Sequence, residues 1–196
     1  MEKNFKMVAK TFFGFEDILA KEVQQLGGQD VQTGTRVVTF SGDKGFMYKA
    51  NLSLRTALKI LKPIKWFKVF NDKSLYDVIS SIDWSQFMNE KQTFVVDVTL
   101  YSEAFNNSQF VALKTKDAIV DQFREKTGVR PSIDKDFPDL RIHIHLDRDQ
   151  CTVSLDTSGE SLHQRGYRSA TNIAPINEVL AAGMLMLSGW DGTSHF

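Results

Sequence analysis

The segment from Ile176 to Leu187 most restricts what this chain can fold into. Ile176, Val179, Leu180, Ala181, Ala182, Met184, Leu185, Met186 and Leu187 place apolar side chains around nearly the whole circumference of a helix. A helix apolar along one stripe covers a core from outside, whereas one apolar all round is normally buried on every side. The segment is too short to cross a bilayer, and Pro175 before it and Gly189 after it are start and stop signals of a helix in a soluble protein. It is therefore expected to be folded back on the body of the chain, buried against another copy, or poorly ordered. The sequence stops soon afterwards at Phe196, so a further domain is expected to follow.

The rest of the chain has the material for packed domains. Its 196 residues are 42% hydrophobic and 11% aromatic, which suits one or two globular units and excludes a disordered chain. With 24 basic and 24 acidic residues the formal charge is zero, so a gross cationic excess for nucleic acid is absent and any such surface must be local. The one cysteine, Cys151, cannot form an internal disulfide, and the N-terminus lacks a secretory apolar region. A reducing, cytoplasmic setting without membrane association is the expectation.

Strand and helix periods alternate along the chain. Residues 5–11 read as a strand, and Gly14 opens a helix with Ile18, Leu19, Val23 and Leu26 at helical spacing, stopped by Gly27-Gly28. Residues 36–40 read as a short strand. Residues 47–61 read as a second helix with Leu54, Ala57, Leu58 and Leu61 on its apolar face, ended by Pro63 and followed by a strand over 64–70. A β-α-β-β-α order of this kind suggests a small ferredoxin-like layer. The second block reads as a short helix over 75–82, a strand over 93–101, and a long helix over 108–126 stopped by Gly128. A hairpin follows, with strictly alternating 141–146 returning as 152–155 after Asp147-Arg148-Asp149-Gln150. The fold class is α+β, with domains expected at 1–65 and 66–157 and a connecting segment and apolar helix over 158–196.

Most local constellations carry no chemistry. His143 and His145 share a strand face near Asp147 and Cys151, but an i, i+2 pair without the Cys/His spacing of a zinc module is more often the polar face of a strand. Gly42-Asp43-Lys44-Gly45 matches the clamp loop of KH domains in letters only; it follows a strand, and Asp43 would repel phosphate, so it reads as a turn. Asp117 and Asp121 lie one helical turn apart beside Lys114, as expected of a solvated helix face. The dinucleotide fingerprint, the P-loop, the nucleophile elbow and the zinc-protease motif are all missing, so no catalytic residue and no metal is assigned.

The charge distribution is more informative. Between Asp43 and Lys73 there are eight cations against two carboxylates, a net of +6 in a neutral chain, so the remainder carries −6. In the helix expected over 47–61, Arg55, Lys59 and Lys62 fall on one side, and Lys65 and Lys68 extend the stripe past Trp66 and Phe67. Cations beside aromatics suit phosphate contact and base stacking, and equally a solubilising face that touches nothing.

Four segments resemble one family. These are Gly14 to Val23 (GFEDILAKEV), Ala50 to Ala57 (ANLSLRTA), Leu113 to Asp121 (LKTKDAIVD) and Asp156 to Arg168 (DTSGESLHQRGYR), the last followed by Ala174-Pro175 and Gly189-Trp190-Asp191-Gly192. Together they resemble the N-terminal half of bacterial THUMP-containing guanine-N2 methyltransferases of large-subunit ribosomal RNA, often labelled N6-adenine-specific methylases. The resemblance implies a ferredoxin-like domain and a THUMP domain ahead of a Rossmann-like catalytic domain. In that domain an S-adenosylmethionine loop resembles D-P-x-C-G-S-G-T and a target-base motif resembles N-P-P-Y; neither occurs here.

The expectation is thus an RNA-holding portion without its catalytic domain, binding no cofactor itself while the parent enzyme uses S-adenosylmethionine. Its partners would be structured RNA, expected to be large-subunit rRNA, and its own C-terminal methyltransferase domain. Charge and spacing nominate Arg55, Lys59, Lys62, Lys65 and Lys68 as RNA contacts, followed by Lys114, Lys116, Arg165 and Arg168. A structural adaptor joining a catalytic domain to a protein partner, or the THUMP portion of a tRNA methyltransferase, are the alternatives. A self-sufficient enzyme is disfavoured by the missing motifs.

Overall fold

The computed structural model describes residues 3–166, 168–170, 173–190, 192–193 and 195. Tyr167 and Asp191 of the family-like segments lie outside the described residues. The chain divides into two compact units, the first made of residues 1–62 and 157–196 and the second of residues 63–156.

The first unit contains β1 (Phe5–Lys10), α1 (Glu16–Leu26), β2 (Gln29–Gly34), β3 (Val37–Gly42), α2 (Lys44–Ser53) and the start of β4 (Lys59–Lys68). The strand order is β2-β3-β1-β4, with β1 antiparallel to both β3 and β4. This is the ferredoxin-like arrangement. Alternation buries Met7 and Ala9 of β1 and Val38 and Phe40 of β3 against Leu19 and Val23 of α1 and Ala50 of α2. The edge strand β2 (QDVQTG) is almost wholly exposed, and its polar composition gives no apolar alternation from which a strand can be read.

The helix expected over 47–61 is corrected by the structure. Helix α2 starts three residues earlier, where the Asp43 carboxylate accepts the Phe46 N–H at 2.7 Å, so Gly42-Asp43-Lys44-Gly45 is a helix N-cap. The helix stops at Ser53, and the chain is a strand again from Lys59. Leu54, Ala57 and Leu61 are buried as expected, but from a turn and a strand rather than one helix face. Three-and-four spacing of apolar residues also arises where a buried turn runs into a buried strand. Pro63 lies inside β4, since extended backbone accepts a fixed φ that a helix interior does not.

Residues 157–165 return to the first unit and bond to the stretch between α2 and β4. The Thr157 N–H donates to the Ile60 carbonyl at 2.9 Å, and Ile60 N–H donates to Ser158 Oγ at 2.7 Å. Asn51 links the same pair, donating to Thr157 Oγ1 at 3.1 Å and accepting from Ser158 Oγ at 2.8 Å.

Helix α5 (Glu178–Leu187) follows, and its N-cap Asn177 accepts from Val179 and Leu180. Val179 is buried, and Gly183 approaches Phe15 so closely that a Cβ there would lie 2.1 Å from the ring. Beside that contact, Leu180, Met184 and Leu187, with Ile176 just before the helix, are exposed. The segment is thus folded back along one side only.

The second unit is built from the end of β4, α3 (Asp72–Ser81), a 3-10 turn (Trp84–Gln86), β5 (Phe94–Tyr101), α4 (Ser108–Thr127), β6 (Leu140–Asp147) and β7 (Gln150–Asp156). Strand β5 runs parallel to β6 through the α4 crossover, and β6 pairs with β7 in an antiparallel hairpin. Ile142, Ile144 and Leu146 are buried as their alternation requires, with Phe94, Ile119, Phe123 and Trp84. Gln122 fastens α4 to the end of α3, donating to the Ser80 and Ile82 carbonyls at 2.7 Å and accepting from Trp84 N–H at 3.1 Å. Gly128 closes α4 with φ 75°, the left-handed region that glycine enters without a Cβ penalty.

Candidate nucleic-acid interface

The structure scatters the expected basic stripe. Arg55, Lys59 and Lys62 belong to the first unit, Lys65 and Lys68 to the second. None of the five lies on a helix. Lysines three apart share a helix face, but on a strand of period two, side chains an odd number apart point to opposite sides. On a strand the spacing that suggested one stripe therefore gives no reason for Lys59 and Lys62, or Lys65 and Lys68, to share a side.

The partners of each cation decide which could give up its contacts to a phosphate. Arg55 Nε lies 3.0 Å from Glu22 Oε1, and that carboxylate is only 7% exposed. Glu22 also accepts from Thr56 N–H at 3.0 Å and Thr56 Oγ1 at 2.5 Å, so withdrawing Arg55 would strip a nearly buried charge of its counter-ion. Arg165 is tied as firmly. Its guanidinium donates to the carbonyls of Asn51, Leu52, Leu54 and Leu162 at 2.5–3.0 Å, which places a cation on the last carbonyls of α2. Arg168 pairs with Glu178 at 3.1 Å and donates to the Ile176 carbonyl. These three arginines hold the first unit together.

The lysines differ. Lys68 pairs with Asp149 at 3.3 Å, Lys114 with Asp72 at 3.5 Å, and Lys116 with Asp117 at 2.7 Å, all on partners about half exposed. Exposed ion pairs contribute roughly 0–1 kcal/mol, so a phosphate can replace such a carboxylate at little cost. The Gln150 amide and the Lys68 ammonium hold the Asp149 carboxyl below its ordinary range. Lys114 also sits 5.5 Å over the Tyr76 ring, whose hydroxyl donates to Asp121 at 2.8 Å; that bond and burial raise the phenol above its ordinary value. Lys62 lies 4.1 Å over the Phe5 ring. Lys65 is exposed and makes no ion pair among the described residues.

Burial pushes the Cys151 thiol up to about 12, so it is an inert packing group. His143 and His145 stack at 6.5 Å, and Thr99 Oγ1 lies 3.0 Å from His143 Nε2. No three metal-ligating groups converge among the described residues. No helix is long and apolar enough to cross a membrane among them.

Comparison with known proteins identifies the domains of this chain. Residues 6–61 match the RlmL ferredoxin-like domain, residues 70–156 the THUMP domain, and residues 165–196 the RMKL-like methyltransferase domain. The chain carries an RlmL ferredoxin-like domain and a THUMP domain. It is 40% identical over 190 residues to the ribosomal RNA large subunit methyltransferase K/L of Syntrophotalea carbinolica, covering 97% of this chain and 27% of that protein. Among solved structures it is similar to SMU.472, described as a methyltransferase and solved in complex with SAH, at a TM-score of 0.81 and 31% identity over 97% of this chain and 50% of that one. A predicted N6-adenine-specific DNA methylase from Listeria monocytogenes gives the same TM-score at 29% identity, over 96% of this chain and 49% of that one. The chain thus spans about half of these solved chains and about a quarter of the curated relative.

With the THUMP match in place, α3, α4 and the β5-β6-β7 sheet become the elements of interest, and most of the cations nominated by charge lie in the ferredoxin-like unit or at its edge. Sequence reasoning missed Glu22 as the anchor of Arg55. A glutamate amid the apolar positions of α1 was the available signal.

Proposed function

We propose that this chain is the RNA-holding portion of an S-adenosylmethionine-dependent large-subunit rRNA guanine-N2 methyltransferase. The observation that carries this reading is the succession of the ferredoxin-like, THUMP and methyltransferase matches along one chain, together with its likeness to the K/L enzyme. The THUMP unit would hold structured RNA by shape and backbone, because the deep groove of an A-form helix admits no side chains to read sequence. Among the nominated residues, Lys65, Lys68 and Lys116 fit phosphate contact, since only weak pairs need be exchanged, whereas Lys114 stays on Asp72. Arg55, Arg165 and Arg168 are structural.

The cofactor is assigned outside this chain. The concavity beside the start of α5, about 480 Å³, is bordered by Arg168 and Glu178, which are already committed to each other, and no glycine-rich loop adjoins it. These residues do not fit S-adenosylmethionine. The exposed stripe Ile176, Leu180, Met184 and Leu187 would instead be covered by further residues of the methyltransferase domain, whose match begins at 165.

Binding of the chain to a ribosomal RNA hairpin, measured against salt, tests the reading. Affinity should fall as salt rises, and the variant Lys65→Gln with Lys68→Gln should flatten the slope of log affinity against log salt by roughly one unit per lost contact. Absence of measurable binding, or an unchanged slope, would refute it.

A further inference from the structure

The second unit contains a cavity of about 500 Å³ between the start of α3 and the start of α4. Two phenylalanines line it with their rings in solvent, Phe70 at 68% exposure and Phe110 at 45%, while buried Phe105 contributes to its wall. A large aromatic left this wet is surface that folding alone leaves uncovered, and two lining one cavity form a concave apolar site.

The polar side chains lining the cavity are three amides, Asn71, Asn106 and Asn107, and one carboxylate, Asp72. Asn71 Oδ1 accepts the Ser74 N–H at 2.8 Å, and Asn107 Oδ1 accepts the Phe110 N–H at 3.1 Å. Each cap bond fixes the plane of a carboxamide and leaves its Nδ2 group, with two N–H donors, outside that bond. The single carboxylate of the lining, Asp72, is paired with Lys114 at 3.5 Å. The cavity is therefore close to neutral and carries no cationic clamp for a phosphate. Flat apolar faces with neutral edge donors suit a planar, uncharged ligand bearing hydrogen-bond acceptors.

We propose that this cavity is a stacking site for an unpaired nucleobase of the bound RNA. The proposal rests on the RNA-holding reading above and adds to it a place for a single-stranded nucleotide beside the duplex. Phe70 and Phe110 supply ring faces, and Asn71 and Asn107 supply donors to the carbonyl oxygens and ring nitrogens of a base edge. Every base has a face to stack, so the site prefers unpaired over paired nucleotides with little preference among bases.

The test uses the whole chain and two RNA hairpins, one blunt and one with a three-nucleotide single-stranded overhang carrying 2-aminopurine. Stacking on an aromatic side chain strengthens binding by roughly 5- to 150-fold per base. The overhang hairpin should bind at least about 5-fold more tightly than the blunt one, with quenching of the 2-aminopurine. The variant Phe70→Ala with Phe110→Ala should lose that difference and the quenching while keeping the blunt-hairpin affinity and its salt slope. Both side chains are exposed, so the variant should melt near the parent temperature, and the Tyr pair should retain the preference. Equal binding of the two hairpins by the parent, or an unchanged preference in the Ala pair, would overturn the site while leaving RNA binding intact. Failure to bind either hairpin would overturn both readings.

Discussion

Arg165 separates a structural reading from a functional one most sharply. Its charge and its place in a family-like segment nominate it for RNA, whereas its guanidinium donates to four carbonyls, three of them at the end of α2. A hydrogen bond from a charged donor contributes about 1.5–3 kcal/mol net, but Arg165 is half-exposed and water can take over part of each bond, so truncation should cost about 2–4 kcal/mol in total. For a chain of this size that is a fall in melting temperature on the order of 10 °C. Arg165→Met tests the loss of charge and bonds together. Arg165→Lys keeps the charge but replaces a planar fork with one ammonium and should recover less than half of the stability. Thermal and urea unfolding of the three proteins give the ranking, and RNA affinity at a temperature where all are folded should not change. An unaltered melting temperature with lost RNA affinity would refute the assignment of Arg165 to the fold.

Two further predictions concern the helix contact and pH. Gly183→Ala raises intrinsic helix propensity by about 1 kcal/mol, yet its Cβ would meet the Phe15 ring at 2.1 Å, so the variant should be less stable and α5 more readily cleaved in limited proteolysis; a more stable protein would show that α5 does not rest on Phe15. The Asp83 carboxyl is held well below its ordinary range by the Ser85 hydroxyl, the Lys126 ammonium and the Gln86 amide. The stability it contributes is therefore full above its unfolded value and lost as pH falls below about 4, so Asp83→Asn should flatten the acid side of the stability profile and leave the alkaline side alone.

Where one kind of periodicity persists, the fold was legible. The strand over 141–146 and the long helix stopped by Gly128 both appear as read, although His143, expected on the polar face, is buried with its neighbours. The stretch 47–61 failed since its apolar residues satisfy two geometries at once. What ends α2 is tertiary: Glu22 of α1 accepts the Arg55 and Thr56 N–H groups, and Arg165, more than a hundred residues later, takes the Asn51, Leu52 and Leu54 carbonyls. No window on the local sequence contains those partners. The charge stripe failed with the helix, because the spacing of Lys59, Lys62, Lys65 and Lys68 has meaning only once the period of the backbone is known.

The most specific of the family-like segments also changes role. Residues 158–165 are expected to lead away from a THUMP domain, yet Ser158, Ser161, Leu162 and Arg165 all bond within the ferredoxin-like unit, to Asn51, Leu52, Leu54, Leu58 and Ile60. The THUMP match at 70–156 is thus an insertion between two pieces of that unit. Val179 and the Gly183–Phe15 contact hold α5 on the same unit. The segment matching the start of the methyltransferase domain therefore takes its orientation from the ferredoxin-like core. Single substitutions at Asn51, Thr157, Ser158 or Arg165 act on that anchorage even though none of these residues lines the cavity proposed for a nucleobase.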